Sequence, residues 1–205
     1  MKKIDNFFKC KQKLYSIISI IGILSCSQLS ISEIEMRDAH NKTIEINEIS
    51  NVVYSISDSL CINEVRLNFD YISIVYLRYG CAPCLSNFVR WISEMDKFGK
   101  QRNHTLLFII RGQSYKEFMT DVEGLAIGDY QFHVMIDDRG LFCAKNKHVP
   151  QWIFERSVLI GADNRIKLVG EPFATPDMTR LFYSIVNGDD KNYKKTNCKT
   201  TRFTP

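Results

Sequence analysis

The 205-residue sequence has no apolar run long enough to cross a bilayer. Its longest, "LYSIISIIGIL" at 14–24, has eleven residues, where a spanning helix needs roughly 20. Most of the chain also lacks a charge excess. The formal net charge is +4, but Lys2, Lys3, Lys9, Lys11 and Lys13 against Asp5 account for all of it, leaving 22 basic and 22 acidic side chains from residue 26 onward. A nucleic-acid-binding face needs a surplus of Lys and Arg, so nucleic acid is excluded as a partner. There is no second C-x-x-C and no H-x-x-x-H. A zinc site needs four ligands, usually from two such pairs, so no metal is assigned. His40, His104, His133 and His148 stand apart from one another and read as ordinary surface or core residues. No internal repeat and no low-complexity tract occurs.

What is present describes an ordinary globular protein: 45% hydrophobic and 24% charged residues, enough for one domain with a full core. The first residues form a lysine-rich start, then the apolar run, then Ile23-Leu24-Ser25-Cys26. That is the layout of a secretion signal. Its end resembles the lipobox of bacterial lipoproteins, which implies a diacylated Cys26 as the mature N-terminus and a lipid anchor in the membrane. A plain cleaved signal with an incidental Cys26, or an uncleaved anchor, stays open. The expected organisation is a signal peptide over 1–25, a tether over 26–39, one domain over 40–188 and a polar, disordered tail over 189–205. Cys10 falls inside the signal. In an exported chain disulfides persist. The remaining Cys61, Cys81, Cys84, Cys143 and Cys198 are odd in number, so at least one thiol is free or pairs between molecules.

Periodicity sets the elements. "KTIEINEI" alternates and reads as a short strand, and "NVVYSIS" as another. "SLCINEVRLNF", 59–69, is open between a helix and a loop. "YISIVYLRY", 71–79, is a buried strand. "LSNFVRWISEMDKFGK" places Phe88, Trp91, Ile92, Met95 and Phe98 at helical spacing, with Gly99 as its stop. "HTLLFIIRG", 104–112, is a second central strand. "SYKEFMTDVEGL" is a helix capped by Ser114 with Glu117 at the capping-box position. "QFHVMIDD", 131–138, is a third strand, and "RGLFCAKNKHVPQWIFE" is loop-like with room for a helical turn. "RSVLIGADNRIKLVG", 156–170, is a hairpin. "TPDMTRLFYSIVNG", 175–188, is a closing helix that starts at Thr175-Pro176 and stops at Gly188. Strands alternating with helices and ending in a hairpin imply an α/β fold with a mixed central sheet flanked by helices.

Between the first central strand and its helix lies "YLRYGCAPCLSNF", 76–88. Seven cysteines would produce roughly 0.2 C-x-x-C pairs by chance, so the surroundings must carry the meaning. A cysteine at a helix N-terminus meets unpaired backbone N–H groups and the positive end of the helix dipole, and both favour thiolate. Cys81 is placed there as attacking nucleophile, and Cys84, one turn inside the helix, as the resolving thiol. Pro83 suits a first turn because its missing N–H costs nothing there.

The element order, "CAPC" opening a helix, and the ending "SVLIGADNRIKLVG…LFYSIV" together resemble the thioredoxin fold, over roughly 40–188. Within it they are most similar to the exported thioredoxin-like (redoxin/TlpA-like) lipoproteins of bacteria. That resemblance implies a thiol–disulfide oxidoreductase of the cell envelope, anchored by lipid and facing the periplasm. It would exchange disulfides with exported proteins, draw electrons from an upstream redox protein and hold no bound cofactor. Better-known relatives reduce disulfides during cytochrome c maturation, and Ala-Pro between the cysteines resembles the reducing end of the range. Three positions depart from the pattern. The cis-proline expected before the hairpin strand falls near Glu155 or Arg156, with Pro150 several residues early. The buried acid or Asn six positions before the first Cys is Val75. The Trp before it is Gly80.

Two other readings stand beside this one: a non-catalytic interaction module with a structural disulfide, and a metallochaperone. Cys61 and Cys143 read as small buried residues or as a possible bridge. Trp91 reads as core, Arg78 as a solvated strand end, and Trp152 and Phe154 as either a partner groove or core.

Overall fold

The computed structural model describes residues 29–188 except 48, 51, 56–58, 79–82, 100, 113, 124 and 126–127. The expected signal peptide, Cys26 and the 189–205 tail lie outside the described residues. Cys81, Cys198, Gly80 and Gly99-flanking Lys100 do as well. The chain divides into two compact units, 1–35 and 36–205. Of the first, residues 29–35 are described. They start helix α1 (Ile31–Ala39), where the Ser30 hydroxyl and N–H donate to the Glu33 carboxylate at 2.8 and 2.7 Å.

The second unit is built on one seven-stranded sheet of order β2-β1-β5-β4-β3-β6-β7. Its centre is three parallel strands: β3 (Tyr71–Arg78), β4 (His104–Arg111) and β5 (Phe132–Asp137). Parallel strands are covered on both faces, which is why these three segments are nearly continuous runs of Ile, Leu, Val and Phe. Antiparallel pairs complete both sides, β1 (Val52–Tyr54) with β2 (Ser59–Cys61), and β6 (Val158–Gly161) with β7 (Ile166–Val169). The order strand, helix, strand, helix, strand, hairpin, helix is the one the periodicity implies.

Successive side chains of a strand point to opposite faces, so each central strand feeds two cores. Val75 and Leu77 join one core with Leu106, Phe108 and Ile110. Three helices cover that face: α3 (Pro83–Lys97), α4 (Tyr115–Val122) and α7 (Pro176–Val186). Trp91, Phe88, Ile92 and Met95 of α3 are fully buried, which settles Trp91 as core. Phe88 is ringed by Phe108, Phe118 and Phe132 at centroid distances of 4.5, 5.0 and 5.3 Å. Ile72, Ile74 and Tyr76 face the other core. It is covered by α2 (Ile62–Asn68), α5 (Leu141–Lys145), α6 (Gln151–Glu155) and the segment 39–49.

The expected capping is in place. Ser114 Oγ accepts from the Glu117 N–H, and the Glu117 carboxylate accepts from the Ser114 N–H at 2.9 Å. Thr175 caps α7, with Pro176 at its first turn.

Three expectations change. "KTIEINEI" forms only an isolated bridge, Thr43 to Arg165. Ile44 and Ile46 are buried as the alternation implies, and the Ile44 N–H donates to the Asn164 carbonyl at 2.8 Å in the turn between β6 and β7. The Glu45 backbone is bonded by a side chain: its N–H donates to Asn146 Oδ1 at 2.9 Å and its carbonyl accepts from Asn146 Nδ2 at 3.1 Å. The ambiguous 59–69 is strand β2 followed at once by helix α2. The loop-like 139–155 carries two one-turn helices, α5 and α6, whose Phe142, Ile153 and Phe154 are drawn into the core. Phe154 is therefore core rather than partner groove.

Candidate functional site

Helix α3 begins at Pro83, so Cys84 sits in its first turn. No acidic residue occupies that turn, and nothing on the helix itself opposes the positive end of its dipole. Cys84 is disulfide-bonded, whereas Cys61 and Cys143 are free. No bridge joins Cys61 to Cys143. The Cys84 sulfur lies against the carbonyl oxygen of Arg78, the last residue of β3.

Cys84 opens on a groove of about 710 Å³. Tyr76 and Leu77 form its floor, and Pro83, Cys84, Asn87 and Arg90 of α3 form one wall. Arg78 at the end of β3 and Glu155 at the end of α6 also line it. The groove exists because β3 outruns its neighbour. The antiparallel ladder with β6 ends at Ile74↔Val158, while the parallel ladder with β4 continues to Arg78↔Arg111. The last four residues of β3 thus project past β6 beside the first turn of α3.

Ion pairs frame the groove. Arg78 Nη2 donates to Glu155 Oε1 at 2.8 Å, and Gln151 Nε2 donates to the same oxygen at 3.1 Å. Arg78 is the exposed strand end that the sequence implies, but it is paired. Arg90 donates through both terminal nitrogens to the Glu171 carboxylate, one bond being 2.8 Å. It also donates to Asn87 Oδ1 at 2.8 Å. Its guanidinium lies 5.2 Å from the Phe173 ring centroid, and the hydrogen bonds to Glu171 hold its pKa above the ordinary arginine value.

The place expected for a cis-proline is occupied differently. Among the described residues no peptide bond is cis. Pro150 stands at the N-cap of α6, and that whole helix separates it from β6. The residue directly before β6 is Ser157, buried, with φ +76° and no hydrogen-bond partner for its hydroxyl. Its N–H donates to the Phe154 carbonyl at 3.1 Å and its carbonyl accepts from the Gly170 N–H at 3.0 Å. Glu155, two residues earlier, reaches the groove rim instead. Val75 is buried in the apolar core, so the acid-bearing position on β3 is aliphatic here. Trp152 is half-buried against the other core, with the Arg156 guanidinium 5.7 Å from its ring centroid.

The histidines do not converge. His40 and His148 are exposed, and His148 Nε2 pairs with the Thr43 carbonyl at 2.8 Å. His104 and His133 are buried in β4 and β5, and burial lowers their pKa values to about 3 and about 4. Among the described residues no three His, Cys, Asp or Glu side chains are grouped to hold a metal ion. Tyr76, Asn87, Arg90 and Glu155 line the groove, and Glu171 pairs with Arg90; none of them was a candidate site residue from the sequence. Of these only Glu155 carried a signal, as the residue standing where a cis-proline was expected.

Comparison with solved structures gives the class of fold. A protein of Chlorobium tepidum assigned as thiol:disulfide interchange protein DsbE superimposes with a TM-score of 0.50 at 10% identity, over 72% of this chain and 97% of that one. Thioredoxin from Wuchereria bancrofti follows at 0.47 and 13% identity, over 67% and 96%. The exposed lipoprotein thioredoxin of Streptococcus pneumoniae follows at 0.44 and 13%, over 67% and 97%. With the sheet order and the terminal hairpin and helix described above, the chain has a thioredoxin-like α/β fold. No family model and no curated protein sequence matches the chain.

Proposed function

We propose that the protein is a thiol–disulfide oxidoreductase working through a Cys81–Cys84 pair. The observation that carries this is the disulfide-bonded Cys84, in the first turn of a 15-residue helix and opening on a groove. Cys81, three residues away across Ala82-Pro83, is its partner in this reading. In the reduced protein the Cys81 thiolate attacks a substrate disulfide, forms a mixed disulfide and expels one substrate thiolate. Cys84 then attacks the Cys81 sulfur, closing the intramolecular disulfide and releasing the second substrate thiol. The substrate gains two electrons and two protons, and an upstream dithiol protein restores the pair. The Arg78 carbonyl beside Cys84 supports the division of roles. It gives a reduced Cys84 thiol an acceptor, which holds its proton and suits the resolving rather than the attacking position.

The envelope setting rests on the N-terminal sequence: a signal over 1–25, lipidation of Cys26, a tether over 26–39 and a periplasm-facing domain over 40–188. No described helix is long and apolar enough to cross a membrane. The substrates in this setting are exported proteins, and the direction is reduction, from the Ala-Pro dipeptide.

A second reading, an interaction module whose disulfide is structural, is favoured by the occupied cis-proline place with its buried Ser157. Trapping separates the two. Cys84→Ser should accumulate mixed disulfides with substrate thiols and Cys81→Ser should not, and wild type should reduce insulin. Equal insulin reduction by wild type and Cys81→Ser would reject the exchange reading.

A further inference from the structure

Six large apolar side chains stand exposed among the described residues, and three of them fall within six consecutive positions at the start of α1. Leu29 is 50% exposed, Ile31 78% and Ile34 38%. The other three, Val52, Leu67 and Leu125, are far apart in the chain. A single exposed apolar residue needs no explanation, whereas a cluster points to a surface that meets another. Ile31 and Ile34 are three positions apart on α1 and so are neighbours on its surface. The exposed apolar positions stop there: Met36 is half-buried and Ala39 is buried. The helix start is satisfied locally. Ser30 Oγ accepts from the Glu33 N–H at 3.3 Å, and the Ser30 carbonyl accepts from the Ile34 N–H at 3.1 Å. These first-turn N–H groups therefore do not depend on water for a partner.

The chain itself says what meets this cluster. Cys26, lipidated in the reading above, stands three residues before Leu29. Three residues reach at most about 11 Å when fully extended, and each headgroup layer is about 5–8 Å thick. Leu29 cannot leave the neighbourhood of the membrane surface, and Ile31 and Ile34 follow it in a helix that rises about 1.5 Å per residue. α1 has nine residues, a length of about 14 Å against a hydrocarbon core of about 30 Å. It can sit in the interface but cannot span.

We propose that Leu29, Ile31 and Ile34 form a second membrane contact, seated in the lipid interface beside the acyl chains of Cys26. This rests on the lipidation of Cys26 proposed above. The stretch 29–34 then holds to the bilayer instead of serving as a free tether. The contact is apolar and not electrostatic. Glu33, Glu35 and Asp38 outnumber Arg37 on α1, so the helix offers no net attraction to anionic headgroups.

The experiment uses the full chain from a bacterial host, placed in phosphatidylcholine vesicles. Ile31→Trp puts an indole in the cluster. Leu67→Trp, at a position 86% exposed on α2, is the control. Wild type supplies the background of Trp91 and Trp152. Intact mass reads the acylation of Cys26, and lipids brominated on their acyl chains quench an indole that touches them. The added emission of Ile31→Trp should shift to the blue and be largely quenched, and that of Leu67→Trp should do neither. The quenching should persist in 0.5 M salt, where charge attraction is screened, and should not grow with added phosphatidylglycerol. Acylated protein whose Ile31→Trp indole is not quenched overturns this proposal and leaves the anchor standing. A blue shift without quenching overturns it as well, since a second copy or another protein surface then covers the cluster. Quenching that salt abolishes rejects the apolar contact. A missing acyl mass overturns the anchor and the proposal together.

Discussion

The carboxylate of Glu155 and the guanidinium of Arg78 meet at 2.8 Å across the rim of the groove that Cys84 lines. One partner ends the first central strand, and the other ends the short helix before the hairpin. Both side chains are about half exposed (46% and 50%), so the pair contributes little to folding, on the order of 0–1 kcal/mol. Its weight falls on the groove, because removing one partner leaves a lone charge in the groove that Cys84 lines. Glu155→Gln should leave the urea midpoint nearly unchanged. It should speed exchange with anionic small thiols a few-fold at low salt and lose the effect in 0.5 M salt, where screening is strong. Stopped-flow exchange with reduced glutathione against cysteamine measures this, and an equal change for both thiols would contradict it.

Two buried histidines set an acid limit. Burial depresses His104 to about 3 and His133 to about 4, against an unfolded value near 6.5. Above that value both states are neutral, and the histidines add no pH dependence. Below it the unfolded chain binds protons that the folded chain refuses. Stability then falls by up to about 1.4 kcal/mol per pH unit for each histidine until the folded values are reached. His104 is bridged to Ser73 at 2.8 Å and Tyr130 at 2.7 Å, whereas His133 has no hydrogen-bond partner. His133→Leu should therefore flatten about half of the acid limb without a loss of stability at pH 7.5. Urea midpoints from pH 7.5 to pH 4.5 give the answer; a wild-type midpoint that stays constant across that range would sink the expectation.

Phe88 joins helix α3 to the sheet through three aromatic contacts. Phe88→Ala leaves a cavity under the first turns of the helix that carries Cys84. A cost of about 3–5 kcal/mol is expected, read as a drop in the calorimetric midpoint. A cost below about 1 kcal/mol would mean that the aromatic cluster collapses around the gap.

Ser157 holds φ +76° with its hydroxyl buried and unpartnered. A left-handed conformation penalises any residue with a Cβ, and glycine adopts it freely. Ser157→Gly removes both burdens and should stabilise the fold by roughly 0.5–1 kcal/mol. Thermal melting tests this, and a lower midpoint would show that the hydroxyl has a stabilising role at this turn.

What could be read from the sequence was local. β3, β4 and β5 announce themselves as apolar runs. α3 is written in the spacing of Phe88, Trp91, Ile92 and Met95. Ser114 with Glu117 and Thr175 with Pro176 state helix starts within three residues. The position of Cys84 in a first turn followed from Pro83 and the helical stripe behind it. The segment 42–49 misled because alternation records burial and not pairing. Ile44 and Ile46 are buried as the pattern says, yet the backbone of Glu45 is bonded by Asn146, a side chain about a hundred positions away. The helices α5 and α6 are too short for a periodicity to develop.

Sequence alone determined the element order, the two faces of the central sheet and a cysteine at a helix start, because each depends on neighbours within one or two turns. Only the tertiary structure decided what stands around that cysteine. Arg78 and Glu155 are 77 positions apart, as are Arg90 and Glu171 within a few residues of that span. Their meeting depends on where β3 outruns β6 and on how α6 is seated on the sheet. Such contacts arise from chain packing in three dimensions, and no spacing along the chain encodes them.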